Sequence, residues 1–278
     1  MKASFYKKNV MEYVDTWLRC DYTVYKDIYT KHTDGDKRMK KWEGAWHLAK
    51  YEWRKDRVGM IITAVFVAYM LLVSRSFYVD VWSEKFDMSV TWLVDFVQLA
   101  ILPLLGFPAN RTTFKAWRED CYTRRIMQWR ILPITLSQLV TSRLIQLTGL
   151  LLAGQLLYFA ILYASTAPLR EQLGFGSYLG YVLIWFSYSI AIASTYTLWE
   201  QGYSGKVYMN VCFAYAGLYL ALAVVLNLNG KSVSLYLLER LAEGNWWYSA
   251  VAVVVSSAVV YGMYRLTCRR LQIRSFTR

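Results

Sequence analysis

The sequence predicts an all-α membrane protein with six transmembrane helices, both termini in the cytoplasm, and an amphipathic interfacial helix before the first span. Two observations predict this fold. Six apolar stretches are each long enough to cross a bilayer core of ~30 Å, which takes ~20 helical residues. Most of the basic residues lie on one side of the resulting topology, as they do in multi-pass membrane proteins.

The chain begins with a cytoplasmic segment, residues 1–56, whose last part, about 37–56, is predicted to form the amphipathic helix. Trp42, Trp46 and Trp53 share one face of that helix, and lysines and arginines occupy much of the rest. Tryptophan on one face and lysine on the other are typical of a helix that lies in the lipid headgroup plane. The alternative is an ordinary packed helix of a small cytosolic domain.

The predicted membrane domain covers residues 57–278. Its six spans lie at about 58–77, 91–109, 144–165, 177–199, 207–229 and 247–266. Asp95 is the only acidic residue well inside a span, so it is a candidate pathway-lining residue for proton or cation coupling, or an interfacial acid that is partly solvated or paired with a neighbouring loop. Gln146 and Gln155, in the third span, either line a pathway or bond across helices.

Positive charge predicts the orientation of the spans. Of the 32 Lys and Arg, 27 precede the first span or follow an even-numbered one, and five lie on the other side. Basic residues stay on the cytoplasmic side during insertion, so both termini are predicted in the cytoplasm, in a bacterial plasma membrane. The same bias accounts for most of the net charge of +13, and membrane lipid is the partner expected for the rest. No basic run carries a nucleic-acid recognition motif, so no nucleic-acid partner is predicted.

Several chemistries are not predicted. The two histidines have no Cys or His partner at metal-ligand spacing, which argues against a metal site. Gly230-Lys231-Ser232 looks like the end of a phosphate-binding loop, but Val225 stands where the first glycine of that loop should be. No Ser-His or Cys-His nucleophile arrangement is present. We therefore expect no enzyme, and no cofactor bound by this chain.

The longest cytoplasmic connection between spans, residues 112–135, has a broken amphipathic pattern that a proline ends. The candidate functional residues of this connection are aromatic, arginine and proline residues: Trp117, Arg118, Arg124, Arg125, Trp129 and Pro133. Thr135 and Gln138 have capping-box spacing, which predicts a new helix that runs into the third span. On the other side, residues 231–246 predict a short helix before the last span.

The connection resembles the segment after the second helix in exporter-type ABC transporter permeases of the six-helix (type-2) class. In that family an acidic and basic stretch precedes a Leu-Pro-[Val/Ile]-[Ser/Thr] turn and a helix that ends in a basic residue. Residues 132–135, Leu-Pro-Ile-Thr, match the turn, and Arg143 matches the basic residue. The order of a cytoplasmic helix, six spans and a short external helix is similar too.

The resemblance implies a transport subunit without its own nucleotide-binding domain. A separate ABC ATPase subunit, which binds ATP and Mg²⁺, would dock on the loop 112–135, and a second permease chain would complete a homodimer or heterodimer. Aromatic and arginine side chains are the usual anchors of such an interface, and Pro133 would set the angle between the docked loop and the third span. Two alternatives stay open: an ATP-independent secondary carrier that uses Asp95, and a membrane scaffold or immunity protein without transport.

Overall fold

The computed structural model of the protein describes residues 41–80, 91–108, 120–131 and 134–274. All regular secondary structure in these ranges is helical, which confirms the all-α prediction for this part of the chain. The helices are α1 (Lys41–Lys55), α2 (Arg57–Asp80), α3 (Thr91–Gly106), α4 (Cys121–Ile131), α5 (Leu136–Ser165), α6 (Ala167–Gln172), α7 (Phe175–Gly202), α8 (Gly205–Leu228), α9 (Val233–Ala242) and α10 (Trp247–Ile273). The prediction of an amphipathic helix over 37–56 falls partly outside the described residues, since α1 begins at Lys41.

Five helices of the described ranges are long and apolar enough to cross a bilayer. They are α2, α5, α7, α8 and α10, and their most apolar windows have mean hydropathies between 1.4 and 2.1. Each corresponds to one of the predicted spans. The protein therefore has the architecture of a multi-pass helical membrane protein.

The second predicted span forms the shorter helix α3, which lies at the centre of the bundle. At ~1.5 Å per residue it is about 24 Å long, less than the ~30 Å of a hydrocarbon core. It contacts α2, α5, α7, α8 and α9, and side chains such as Val94, Leu102 and Leu105 are buried. A methyl group added at Gly106 would lie 3.0 Å from Leu151 Cγ, so the absence of a side chain there lets α3 approach α5 closely.

The cytoplasmic half of the fold, by the predicted orientation, joins α1 and α4 to the inner ends of α5 and α10. A small apolar cluster holds these helices together, formed by Leu48, Ile126, Leu139, Val140 and Leu271. The capping box predicted at the start of α5 is confirmed, since the Thr135 hydroxyl accepts from the Gln138 N–H and the Gln138 side chain accepts from the Thr135 N–H. This cap begins α5 at Leu136.

Large apolar side chains point outward from α2, α8 and α10, among them Phe66, Leu218 and Val254. In water such surfaces would be costly, but lipid tails are as apolar as these side chains. The outward faces therefore suit a bilayer.

Candidate functional site

The most unusual element of the described bundle is α3, whose backbone changes type twice. It is α-helical over Thr91–Phe96, a π-helix over Val97–Ile101 and a 3₁₀-helix over Leu102–Gly106. Pro103 has no N–H, so it cannot donate to the carbonyl of Leu99 four residues earlier. The Tyr188 hydroxyl of α7 donates to that carbonyl instead, at 2.9 Å.

Irregular backbone at membrane depth is tolerated only where protein or a water-filled cavity surrounds it. The helices around α3 supply that enclosure. Short π-helical segments are frequent at functional sites, and interrupted helices often form the substrate or ion sites of transporters. The region around α3 is therefore the first candidate site. We call its buried polar residues the outer polar cluster, because the predicted orientation places them toward the outside: Tyr78, Asp95, Gln98, Tyr181 and Ser234.

Asp95 lies in the first part of α3 and is fully buried. Its Oδ1 accepts from Ser232 Oγ at 3.0 Å, from the Ser234 N–H at 2.9 Å and from Ser234 Oγ at 2.5 Å. Its Oδ2 accepts from the Val233 N–H at 3.0 Å. These N–H groups belong to the first turn of α9, where they have no partner within the helix and where the helix dipole favours negative charge. Asp95 thus pairs with the segment before the last span, and it is buried rather than partly solvated.

Gln98, one turn after Asp95, extends the cluster to two more helices. Its amide lies 2.6 Å from Ser234 Oγ, 2.9 Å from the Tyr181 hydroxyl of α7, and in contact with the Tyr78 hydroxyl of α2. The Tyr78 and Tyr181 hydroxyls are 2.7 Å apart. The outer polar cluster therefore ties α2, α3, α7 and α9 together through buried hydrogen bonds, which are strong because little water competes for them.

A second polar site, the inner cavity, lies where α1, α4, α5 and α7 meet. Its volume is about 40 Å³, enough for a few water molecules. Arg143 of α5 donates from Nε and Nη2 to the two oxygens of Glu200 of α7, both at 2.9 Å. Arg125 of α4 also lines the cavity and contacts the Glu52 carboxylate of α1. Two ion pairs thus face one small cavity.

The two glutamines predicted in the third span do not come together. Gln146 lines the inner cavity, and its Oε1 accepts from Arg143 Nη1 at 2.6 Å. Gln155 is buried elsewhere, and neither of its amide atoms has a hydrogen-bond partner in the described part of the chain. Their roles in lining a pathway stay predictions.

α4 places the arginines of the predicted docking loop on different sides. Tyr122 and Ile126 are buried against the bundle, whereas Arg124 is exposed. Arg125 turns inward, where burial and then the positive charge of Arg143 lower its pKa to about 10, so it stays charged at neutral pH. Trp129 packs edge-on against Tyr51 of α1, with ring centres 6.0 Å apart. Trp117, Arg118 and Pro133 lie outside the described residues.

The three tryptophans of α1 are not equivalent. Trp42 and Trp46 are 67% and 51% exposed, while the Trp53 ring lies against Gly149 of α5. The face that α1 buries consists of Ala45, Leu48, Ala49 and Glu52. α1 therefore packs on the bundle with one face and presents two tryptophans outward, where a lipid surface could meet them.

Sequence reasoning missed several residues of these sites. Glu52, Glu200 and Tyr188 were not singled out for a contact, although an acid at the end of a span, as at Glu200, and a proline within a span are signals that a partner is needed. In the described ranges, no group of three His, Cys, Asp or Glu is placed to hold a metal ion. Comparison of the chain with protein-family models, curated proteins and solved structures finds no match.

Proposed function

We propose that the chain is the membrane subunit of an ABC exporter, energised by a separate ATPase subunit that docks on α4 and the loop around it. The subunit crosses a bacterial plasma membrane six times, with α3 as the short second span and both termini in the cytoplasm. A second permease chain completes the transporter, and ATP and Mg²⁺ are bound by the ATPase.

The observation that carries the proposal is the placement of α4. It lies within the longest predicted cytoplasmic connection, residues 112–135, and precedes the capped start of α5. One side is anchored by Tyr122 and Ile126, and the other exposes Arg124 and Met127. A helix fixed to the bundle but open on one side can receive a partner and transmit its movement to the long helix that follows.

The test is a charge reversal at the exposed arginine. Arg124→Glu should weaken co-purification of the ATPase from native membranes by about tenfold or more, because arginines are frequent anchors of protein interfaces. The matched control is Arg269→Glu, the same change at an exposed arginine of α10. If Arg124→Glu co-purifies with the ATPase as well as the parent chain does, α4 is not the docking site. Arg125 is unsuitable for this test, since its reversal would place two carboxylates together at Glu52 and disturb the fold itself.

A secondary carrier is the second candidate, and α3 is the observation that favours it. An interrupted helix with a buried acid is typical of ion-coupled carriers. Against this, both Asp95 oxygens already accept hydrogen bonds from the α9 segment, so a cation would have to displace those donors. Transport by inverted vesicles separates the candidates: an ABC exporter needs ATP and its ATPase, whereas a carrier needs an ion gradient and loses coupling in Asp95→Asn.

A further inference from the structure

α9 is a short helix with a glycine on either side of it. It has 10 residues, Val233–Ala242, and Gly230 and Gly244 flank it with φ of +65° and +85°. Residues with a side chain rarely adopt such φ values, whereas glycine does so at little cost. No atom lies within 4 Å of the position that a Cβ would take at either glycine. The chain can therefore turn at both points while α9 moves as a rigid body.

The packing of α9 is that of a lid. Its inner face buries Leu238 and Leu241, and its outer face carries exposed Tyr236. A methyl group added at Gly180 of α7 would lie 3.2 Å from Leu241 Cδ2 and 3.1 Å from Ser249 Oγ, so the lid rests directly on α7 beside the start of α10. These apolar contacts are non-directional and would allow α9 to lift and return.

The buried directional contacts of α9 with the rest of the bundle are concentrated at its start, and an exposed hydrogen bond at 3.2 Å joins the Tyr236 hydroxyl to the Tyr248 hydroxyl of α10. Asp95 accepts from the side chains or N–H groups of Ser232, Val233 and Ser234. At the other end, Arg240 donates to Glu243 at 2.9 Å, but both side chains belong to the same exposed segment. We propose that Asp95 is the latch of a lid formed by α9, which closes the outer side of the bundle and pivots at Gly230 and Gly244.

The hydrogen bonds of Asp95 distinguish two positions of α9. While α9 packs on α7, the buried carboxylate accepts four hydrogen bonds from Ser232, Val233 and Ser234. When α9 lifts, Asp95 loses them together and must recruit water or a proton, because an unpaired buried carboxylate is very costly. Gln98 connects the latch to Tyr78 and Tyr181, so a shift of α2 against α7 would disturb it from below. That the lid opens to let a substrate leave on the outer side rests on the proposed transport function.

The test measures access to a reporter beneath the lid. Ser249 is 3% exposed and lies next to Leu241, so Ser249→Cys, in a background without the native cysteines, reports on α9 with little change in size. Asp95→Asn should speed its reaction with a maleimide, in purified protein, by about tenfold or more, because hydrogen bonds to a charged group are lost. The matched control is Glu243→Gln, the same acid-to-amide change at the far end of α9, which should alter the rate by about twofold at most.

A second variant keeps the test decisive if Asp95→Asn does not assemble. Ser232→Ala combined with Ser234→Ala leaves the carboxylate on its backbone donors and should raise the labelling rate less, about threefold. Labelling rates equal to the parent in every latch variant that folds would overturn the proposal. The experiment uses the chain without an ATPase, so it stands if the ABC assignment fails, and a loss of transport alone would not count in its favour.

Discussion

At the scale of single residues, Tyr188 compensates for a hydrogen bond that Pro103 removes. Proline has no N–H, so the Leu99 carbonyl cannot accept the usual α-helical hydrogen bond from residue 103, and it accepts from the Tyr188 hydroxyl at 2.9 Å. An unpaired buried polar group costs about 1–3 kcal/mol. The contact between α7 and the irregular part of α3 therefore has a specific chemical cause.

We expect Tyr188→Phe to lower the free energy of unfolding in detergent by about 1–3 kcal/mol, since the Leu99 carbonyl loses the hydroxyl that donates to it. The same change in a Pro103→Ala background should cost less, because alanine supplies an N–H at that position. Tyr261→Phe, at an exposed tyrosine of α10, is the control. Equal costs of Tyr188→Phe in both backgrounds would contradict this account, as a double-mutant cycle would then show no coupling.

At the scale of elements, the contact between α1 and α5 depends on a missing side chain. A Cβ at Gly149 would lie 2.7 Å from Trp53 Cζ2, closer than real atoms approach. The indole ring of Trp53 thus occupies the place of a side chain on α5. Trp42 and Trp46 are exposed and do not need such a space in the bundle. Their contact with the membrane stays a prediction.

Gly149→Ala should therefore destabilise the folded chain by about 1–3 kcal/mol, the usual cost of forcing an extra methyl group into a packed contact. Gly262→Ala is the control, because nothing lies within 4 Å of its Cβ position and alanine is the better helix former. Thermal unfolding of both variants in the same detergent is the measurement. If Gly149→Ala were as stable as Gly262→Ala, Trp53 of α1 would not lie against α5 at Gly149.

At the scale of the whole molecule, the distribution of charge makes a prediction about orientation. Arg170 and Lys231 belong to the sparse side of the chain, and Lys206 and Arg269 to the basic side. All four side chains are exposed, so a cysteine at any of them can react from its own side of the membrane.

On intact cells, Arg170→Cys and Lys231→Cys should react with an impermeant thiol reagent, because basic residues are retained in the cytoplasm during insertion. Lys206→Cys and Arg269→Cys should react only after the cells are opened. Labelling of the second pair from outside would reverse the proposed orientation. Reaction of one member of a pair without the other would contradict the number of spans.

The features that could be predicted from the sequence depend on residues close together in the chain, and those that were missed depend on residues far apart. Helices α2, α5, α7, α8 and α10, the cap at Thr135 and the helix before the last span depend on neighbouring residues, and their patterns were sufficient. The partners of Asp95 and Arg143 lie up to 139 and 57 positions away along the chain, and no local pattern identifies them. The inward turn of Arg125 and the outward turn of Arg124 also depend on where α1 and α7 pack.

The enclosed position of α3 has a consequence for how the protein is made. Asp95 leaves the ribosome long before Ser234, its partner 139 residues later, has been synthesised. At roughly 5–20 residues per second, that interval lasts about 7–28 seconds. During it the carboxylate can be stabilised only by water, by a bound proton or by the insertion machinery, since the helices that will surround it do not yet exist. We therefore expect Asp95 to reach its buried position only after the chain that follows it has been made.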